Sequence, residues 1–350
     1  MDLKIMGAFI IILLGVRTEA QNKLKEEKVQ TESTIAFISS LHNPELKSPA
    51  WLLAAEIYLM NGDGTNVRQV THNTTGENFP VLSPDGKRII FESNRLRKES
   101  DPVNWMSLYV INVDGTGETS LVPGNSASWS PDSKSIVFHA SASGEGKLIS
   151  ELPGAAAIDS DIFILNVDDF VTKKIPPKNI TNSPNAIDDD PDWSPDGRKI
   201  AFTSHAVTDN QTNSVTAEIY IKKANGKGKS KRLTNNKEEE RAPDWSPDGK
   251  FIVYSGRKGE VAEGRLFGTF EICIINADGS SEKRITNNKV PELTITWSPD
   301  GKQLIFQRAV GGVGQFQLFT INPDGTSEKQ LTFTPGFNGF ANWGVKKLTN

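Results

Sequence analysis

The sequence holds a single cysteine, Cys273, in 350 residues. That excludes an internal disulfide framework and any cysteine-based metal cluster, so stability has to come from burial of a core. Between Ile272 and Ile274, the thiol reads as a small buried apolar residue. Excess basic charge is also missing: 39 Lys and Arg against 43 Asp and Glu leave a net charge of −4, which speaks against nucleic acid as a partner. The chain has no nucleophile elbow, no phosphate loop, no zinc-binding helix and no paired cysteine motif. Gly311-Gly312-Val313-Gly314 has no helix after it to complete a phosphate site. A membrane-spanning run is absent as well. The apolar stretch Ile5 to Val16 would span roughly 18 Å as a helix, against about 30 Å of hydrocarbon.

That short run has another reading. Lys4 precedes it, and Thr18-Glu19-Ala20 offers a small residue ahead of Gln21, the layout of a secretory signal peptide over 1–20. A buried N-terminal strand or helix is the alternative. With no Cys after the run, a lipid anchor is not expected. The reading predicts an exported protein, periplasmic or secreted, with no stable membrane insertion after cleavage.

Aromatics make up only 8% of the chain, yet five of its 7 Trp fall in one repeated phrase. The phrase reads Leu82-Ser83-Pro84-Asp85-Gly86, Trp129-Ser130-Pro131-Asp132-Ser133, Trp193-Ser194-Pro195-Asp196-Gly197, Trp245-Ser246-Pro247-Asp248-Gly249 and Trp297-Ser298-Pro299-Asp300-Gly301. A truncated copy closes the chain as Asn342-Trp343-Gly344-Val345. Self-similarity at this spacing signals a repeat architecture. In the cleanest copy, Ala242 to Trp245 reads as a strand and Ser-Pro-Asp-Gly as a turn, with Pro pre-setting φ and Gly closing it. Phe251 to Ser255 and Phe270 to Ile275 read as the next strands. Asn276-Ala277-Asp278-Gly279 is a second tight turn before a fourth strand over Glu282 to Thr286. Pro84, Asp85, Pro131, Asp132, Pro195, Asp196, Pro247, Asp248, Pro299 and Asp300 are thus expected to be structural turn residues. The second turn is degraded at Asn166-Val167-Asp168-Asp169. Four antiparallel strands with tight, loose and tight connections make a propeller blade.

The chain begins mid-repeat, and the missing first strand reappears at Phe340 to Val345. The expectation is an all-β, six-bladed propeller over 34–345, closed by pairing of the C-terminal strand with the N-terminal blade. A short charged segment, 21–33, precedes it and a tail, 346–350, follows.

These residues resemble the TolB-type β-propeller repeat: Trp-Ser-Pro-Asp-Gly-Lys, then Ile-Ala-Phe, Glu-Ile-Tyr, Asp-Gly and Leu-Thr. The resemblance covers about 34–345 and implies an exported propeller serving as a protein-binding body. TolB also carries an α/β domain before its propeller, and Gln21 to Glu32 are too few residues to form one. The same repeats form the propeller half of prolyl-oligopeptidase-type enzymes, whose hydrolase domain would need many more residues.

On such a scaffold both tight turns of a blade share one face, and the loose connections share the other. Variable loops on a rigid body are where binding is built. Trp51, Leu52, Trp105, Met106, Leu148, Ile149, Phe267 and Phe316 are the candidate anchors for a protein or peptide partner of a monomeric propeller; lids folded back on the blade edges are the alternative. His42, His139 and His205 fall at or beyond second strands, near one face. Asp188, Asp189, Asp190 and Asp192 precede a first strand and could hold Ca²⁺ through oxygen ligands. No cofactor is otherwise expected. The second function class is therefore a metal-dependent propeller enzyme, lyase-like, or a carbohydrate-binding module at the channel mouth.

Overall fold

The computed structural model describes residues 31–41, 55–73, 75–96, 106–141, 160–183, 186–206, 217–236, 238–257, 270–288, 290–311 and 315–347. Among these, 24 strands group into six antiparallel blades. Blade 1 contains β1 (Thr31–Ser39), β2 (Glu56–Asn61) and β3 (Arg68–Gln69). Blade 2 contains β4 (Glu77–Leu82), β5 (Arg88–Ser93), β6 (Ser107–Asn112) and β7 (Thr119–Pro123). Blade 3 contains β8 (Asn125–Trp129), β9 (Ser135–Ser141), β10 (Ser160–Asn166) and β11 (Lys178–Asn179). Blade 4 contains β12 (Ala186–Trp193), β13 (Lys199–Ala206), β14 (Glu218–Lys223) and β15 (Lys231–Arg232). Blade 5 contains β16 (Glu240–Trp245), β17 (Phe251–Arg257), β18 (Phe270–Asn276) and β19 (Lys283–Arg284). Blade 6 contains β20 (Glu292–Trp297), β21 (Leu304–Ala309), β22 (Phe316–Ile321) and β23 (Lys329–Gln330). The last strand, β24 (Asn338–Lys347), pairs with β1 and completes blade 1. It also packs against β4 on one side and β20 on the other, so the six inner strands touch in sequence around an axis. A single parallel bridge, Ser160 to Ile187, links blades 3 and 4.

β1 starts at Thr31 and β24 runs to Lys347, each slightly beyond the expected 34–345, because Thr31 and Glu32 pair with Lys347 and Lys346. Five of the six outermost strands are only two residues long, shorter than expected; the exception is β7, with five. A threonine hydroxyl replaces the next ladder bond: the N–H groups of Ile57, Ile219 and Ile272 donate to Oγ1 of Thr71, Thr234 and Thr286, each at 2.9 Å. Short edges of this kind resist strand addition.

Cross-strand aromatic pairs fill the blades. Phe37 faces Tyr58, Phe91 faces Tyr109, Phe138 faces Phe163, Phe202 faces Tyr220 and Phe306 faces Phe319 on the second and third strands. Their centroids lie 5.5–5.9 Å apart, a spacing at which such pairs add to area burial. In blade 5 the pair is Tyr254 and the buried Cys273. Cysteine therefore stands where the other blades carry a ring.

Each Ser-Pro-Asp turn is tied by one hydroxyl. Ser83, Ser130, Ser194, Ser246 and Ser298 donate to the Asp two residues on at 2.6–2.8 Å. The same oxygens accept the N–H five residues on at 2.9 Å. The second turns use Asp63, Asp114, Asp278 and Asp324 as acceptors in the same way. Gly115 in such a turn has φ +87°, and a Cβ there would lie 2.9 Å from the carbonyl oxygen of Val70 in the preceding blade. Glycine thus serves both the turn and the seam between blades.

The degraded turn is a helix, α1 (Val167–Lys173). Asn166 caps it by accepting from the Asp169 N–H at 2.9 Å, with Asp168 and Asp169 in the first turn and Lys173 in the last. No glycine follows to close a tight turn, and the charges suit the helix dipole.

Candidate functional site: the mouth of the central channel

The first strand of each blade presents its free edge to the axis, and the same distortion interrupts all six. Phe79, Ser126, Asp190, Ala242, Thr294 and Phe340 have φ between 47° and 52°, in the left-handed region. At five of them the pairing with the second strand skips register, as between Asn78 and Val81 or Asp189 and Asp192; in β24 a shift falls opposite Ala36 and Ile38. Such bulges re-aim side chains next to binding sites. Here the six residues line the channel at the end nearer the loose connections. Two positions further on, Val81, Ser128, Asp192, Asp244, Thr296 and Asn342 line it as well. The throat measures about 100 Å³. On the tight-turn side it widens to about 260 Å³ among the repeat tryptophans and prolines.

The lower ring shows why polar residues sit there. An inner strand at a free edge has N–H groups without a ladder partner, and buried donors must be satisfied. Asp192 Oδ2 accepts from the Trp245 N–H at 2.9 Å, and Asp244 Oδ2 from the Trp297 N–H at 2.9 Å. Asn342 Oδ1 accepts from the Leu82 N–H at 3.0 Å. Each of these side chains staples its blade to the next. Burial pushes Asp192 up to about 6. Burial, and then the charge of Asp192, hold Asp244 well above the usual carboxylate range.

The mouth is two-sided. On blades 1 and 2, Phe79 and Phe340 are half-buried and stack with centroids 4.0 Å apart. Phe340 continues inward to Phe337 at 5.5 Å, and Phe337 to Phe316 at 5.5 Å. On blades 4 and 5, Asp190 and the Asp192–Asp244 pair place carboxylates opposite. Asp190 accepts from Ser126 Oγ at 2.8 Å and from the Ala242 N–H at 3.3 Å.

The acidic run lies within a first strand rather than before it, and its four carboxylates diverge. Asp188 is buried and accepts from Ser204 Oγ, and burial raises it to about 6. Asp189 accepts from Ser160 Oγ at 3.0 Å. Asp188, Asp190 and Asp192 would share one face of a regular strand, but the bulge between Asp189 and Asp192 breaks that alternation, so Asp188 is buried while Asp190 and Asp192 line the axis. His139 Nδ1 accepts from the Asp190 N–H at 3.3 Å, and its Nε2 lies 3.7 Å from Asp189. His205, whose affinity for a proton is lowered by burial, sits opposite Ile187 in the next strand. Among the described residues no group of three or more His, Cys, Asp or Glu is arranged to hold a metal ion.

Of the loop anchors, Trp51, Leu52, Trp105, Leu148, Ile149 and Phe267 lie outside the described residues, as does His42. Met106 is half-buried and its carbonyl accepts from the Gly124 N–H at 3.2 Å. Phe316 is not a loop residue: it opens β22, is 7% exposed and packs on Phe337 in the core. Pairing with Ala309 turns its ring inward.

Two functional features escaped the sequence reading. The six bulges left one trace, prolines inside three first strands, Pro80, Pro191 and Pro243, since proline within a strand marks a bulge or an edge. The second is a clamp at the loose ends of three blades. Thr71, Thr234 and Thr286 each donate to Glu77, Glu240 and Glu292 at the start of the next blade. Asn73, Asn236 and Asn288 bond the same carboxylates at 2.6–2.7 Å. The recurring Thr-x-Asn followed by Glu four residues on would have revealed it.

Comparison with known proteins agrees with this architecture. The family described as TolB beta propeller domain matches residues 152–347. The solved structure of TolB from Acinetobacter baumannii is similar at 19% identity, with a TM-score of 0.63 over 89% of this chain and 66% of that one. Among curated proteins, the chain is 26% identical to Dipeptidyl-peptidase 5 of Porphyromonas gingivalis, over 72% of its own length and 40% of that protein. It is also 27% identical to an uncharacterized peptidase of Bacillus subtilis, over 35% of this chain and 17% of the relative. The chain thus spans less than half the length of these curated relatives. No helix among the described residues is long and apolar enough to cross a membrane.

Proposed function

The chain belongs to the TolB β-propeller domain family, and from that premise we propose that it is an exported, non-enzymatic scaffold binding a protein or peptide at the loose-face mouth of its channel. One observation carries the reading: the stacked pair Phe79–Phe340 faces the carboxylates of Asp190, Asp192 and Asp244 across a throat of about 100 Å³. That opening is too narrow for a folded domain and matches single side chains offered by a partner resting on the rim. Half-exposed aromatics at a rigid rim are the usual anchors of interfaces. Asp192, Asp244 and Asn342 of the lower ring are committed to backbone N–H groups of neighbouring blades, which suits binding better than turnover. The apolar run Ile5 to Val16 supports export, and the closed, short-edged ring supports a monomer.

A photo-crosslinking residue at position 79 tests the proposal, with Lys227 on an outer turn as control. The expected outcome is a discrete adduct from position 79 in envelope or culture extracts, reduced in an Asp190→Asn variant. No adduct from 79, or the same adduct from 227, overturns it. A Ca²⁺- or Mn²⁺-dependent rise in melting temperature, reversed by EDTA, would favour the metal-dependent enzyme or carbohydrate module instead.

A further inference from the structure

The tight-turn face carries grooves between blades, and the chain itself shows what fills them. In two blades the first residue of the second strand projects toward the repeat Trp of the next blade. In blade 2 that residue is Arg88, whose guanidinium lies 4.9 Å from the centroid of Trp129. It is held there by Asp168 at 2.8 Å and the Ser133 carbonyl at 2.7 Å. In blade 4 it is Lys199, 5.9 Å from the Trp245 ring. In blade 5 the equivalent residue is Phe251, 36% exposed, and the next tryptophan is Trp297. Where blades 2 and 4 supply a cation, blade 5 supplies a ring.

The groove between blades 5 and 6 measures about 680 Å³, within the range of ligand sites. Phe251, Trp297, Pro247 and Pro299 line it with apolar surface. Asp248, Asp300 and Asp324 stand on its rim against one cation, Lys283. The hydrogen bond from Ser246 pulls Asp248 down to about 2, and that from Thr326 lowers Asp324, so both are charged at neutral pH. Lys250 and Lys302 reach Asp248 and Asp300 from side chains that are 73% and 79% exposed, where water screens the pairs.

We propose that this groove binds an extended peptide segment in which an arginine is flanked by prolines. The arginine lies over Phe251, between the rim carboxylates, and so restores the cation that blades 2 and 4 carry in their own sequence. Guanidinium is favoured over ammonium because its flat face stacks on rings while its edge donates to carboxylates. The prolines rest on the wall of Trp297, Pro247 and Pro299, and their pre-extended backbone loses little entropy on docking. The site lies on the opposite face from the channel mouth and stands independently of it.

The probe is a dye-labelled, end-blocked peptide, Ala-Pro-Pro-Arg-Pro-Pro-Ala, titrated against the whole chain by fluorescence anisotropy. Phe251→Arg supplies the cation internally, as Arg88 does, and is expected to weaken binding by about tenfold, the size of one desolvated cation–π contact. Phe251→Ser, which places there the residue that blade 3 has at Ser135, gives a similar loss if the arginine variant fails to fold. Replacing the peptide's arginine by neutral citrulline is expected to cost about as much. Phe79→Ala at the channel mouth leaves the affinity unchanged. No binding to the unaltered chain, or equal binding by the Phe251 variants or the citrulline peptide, overturns the proposal.

Discussion

The two ends of the channel are built from the same strands and behave oppositely toward protons. At the tight-turn end, Asp63, Asp114, Asp196, Asp248, Asp278 and Asp324 all lie below the ordinary carboxylate range, chiefly through the hydroxyl two residues away. At the loose end, burial pushes Glu77 and Glu240 up to about 7 and Glu92 to about 8. Exposed carboxylates are cheap to ionise and are used to hold turns. Buried ones are costly to ionise and join blades where the loops leave. The repetitive end is rigid scaffold; the other end combines buried charge, left-handed backbone and half-exposed rings.

The sharpest way to break this comparison is to remove the strand that both ends share. Deleting 338–350 takes away β24, the inner strand of blade 1 and the neighbour of β4 and β20. The expected result is loss of the cooperative unfolding transition by circular dichroism; a retained melting temperature would show that blade 1 does not need it. Next in size are local defects at each end. Gly115→Ala forces a side chain onto φ +87° and against the Val70 carbonyl, at about 1–3 kcal/mol. Asn342→Ala orphans the Leu82 N–H at the axis, at a similar cost of about 1–3 kcal/mol. Denaturant titration measures both.

The proton contrast itself gives a test with a definite sign. For Glu77, Glu92 and Glu240 the folded value lies above the ordinary 4.5, so the native state holds protons that the unfolded chain has released. Their contribution is complete at acid pH and is lost as pH rises through about 7–8, the folded values. The melting temperature should therefore fall between about pH 5 and 8.5, with a shallower slope in Glu92→Gln. Asp244→Asn keeps the acceptor for Trp297 while removing a like charge, and should stabilise the protein on the alkaline side. The turn aspartates work in the other direction, losing their contribution only as pH falls through their lowered values, and screening keeps that effect small. The smallest expected change is Phe251→Arg, within about 0.5 kcal/mol of the unaltered protein as a surface substitution.

How much was legible depended on the range of the interaction that decides each feature. The Ser-Pro-Asp-Gly turns are closed by bonds spanning two to five residues, so their sequence is their structure. Ring closure was legible too, because Trp343 and its neighbours repeat a phrase whose other copies are complete. The helix α1 was missed although its cap, Asn166, and its charges are local; the repeat pattern suggested a damaged turn instead. Phe316 reads as a loop anchor because it follows the glycine-rich stretch Gly311 to Gly314 so closely, and only its pairing with Ala309 turns the ring inward. The acidic run looked like one cluster because four carboxylates are adjacent in sequence, whereas strand alternation and the bulge at Asp190 disperse them.

Sequence by itself determined the blade, its turns, the number of blades and the way the ends meet, since these follow from repeated short-range chemistry and strand periodicity. The tertiary structure alone decided what faces the axis and what fills each seam. Phe79 meets Phe340 across some 260 residues of chain, Asp192 reaches Trp245 in the next blade, and Phe251 stands where Arg88 and Lys199 stand elsewhere. Those neighbours are set by closing six twisted sheets around one channel, and no local pattern encodes which side chains that closure brings together.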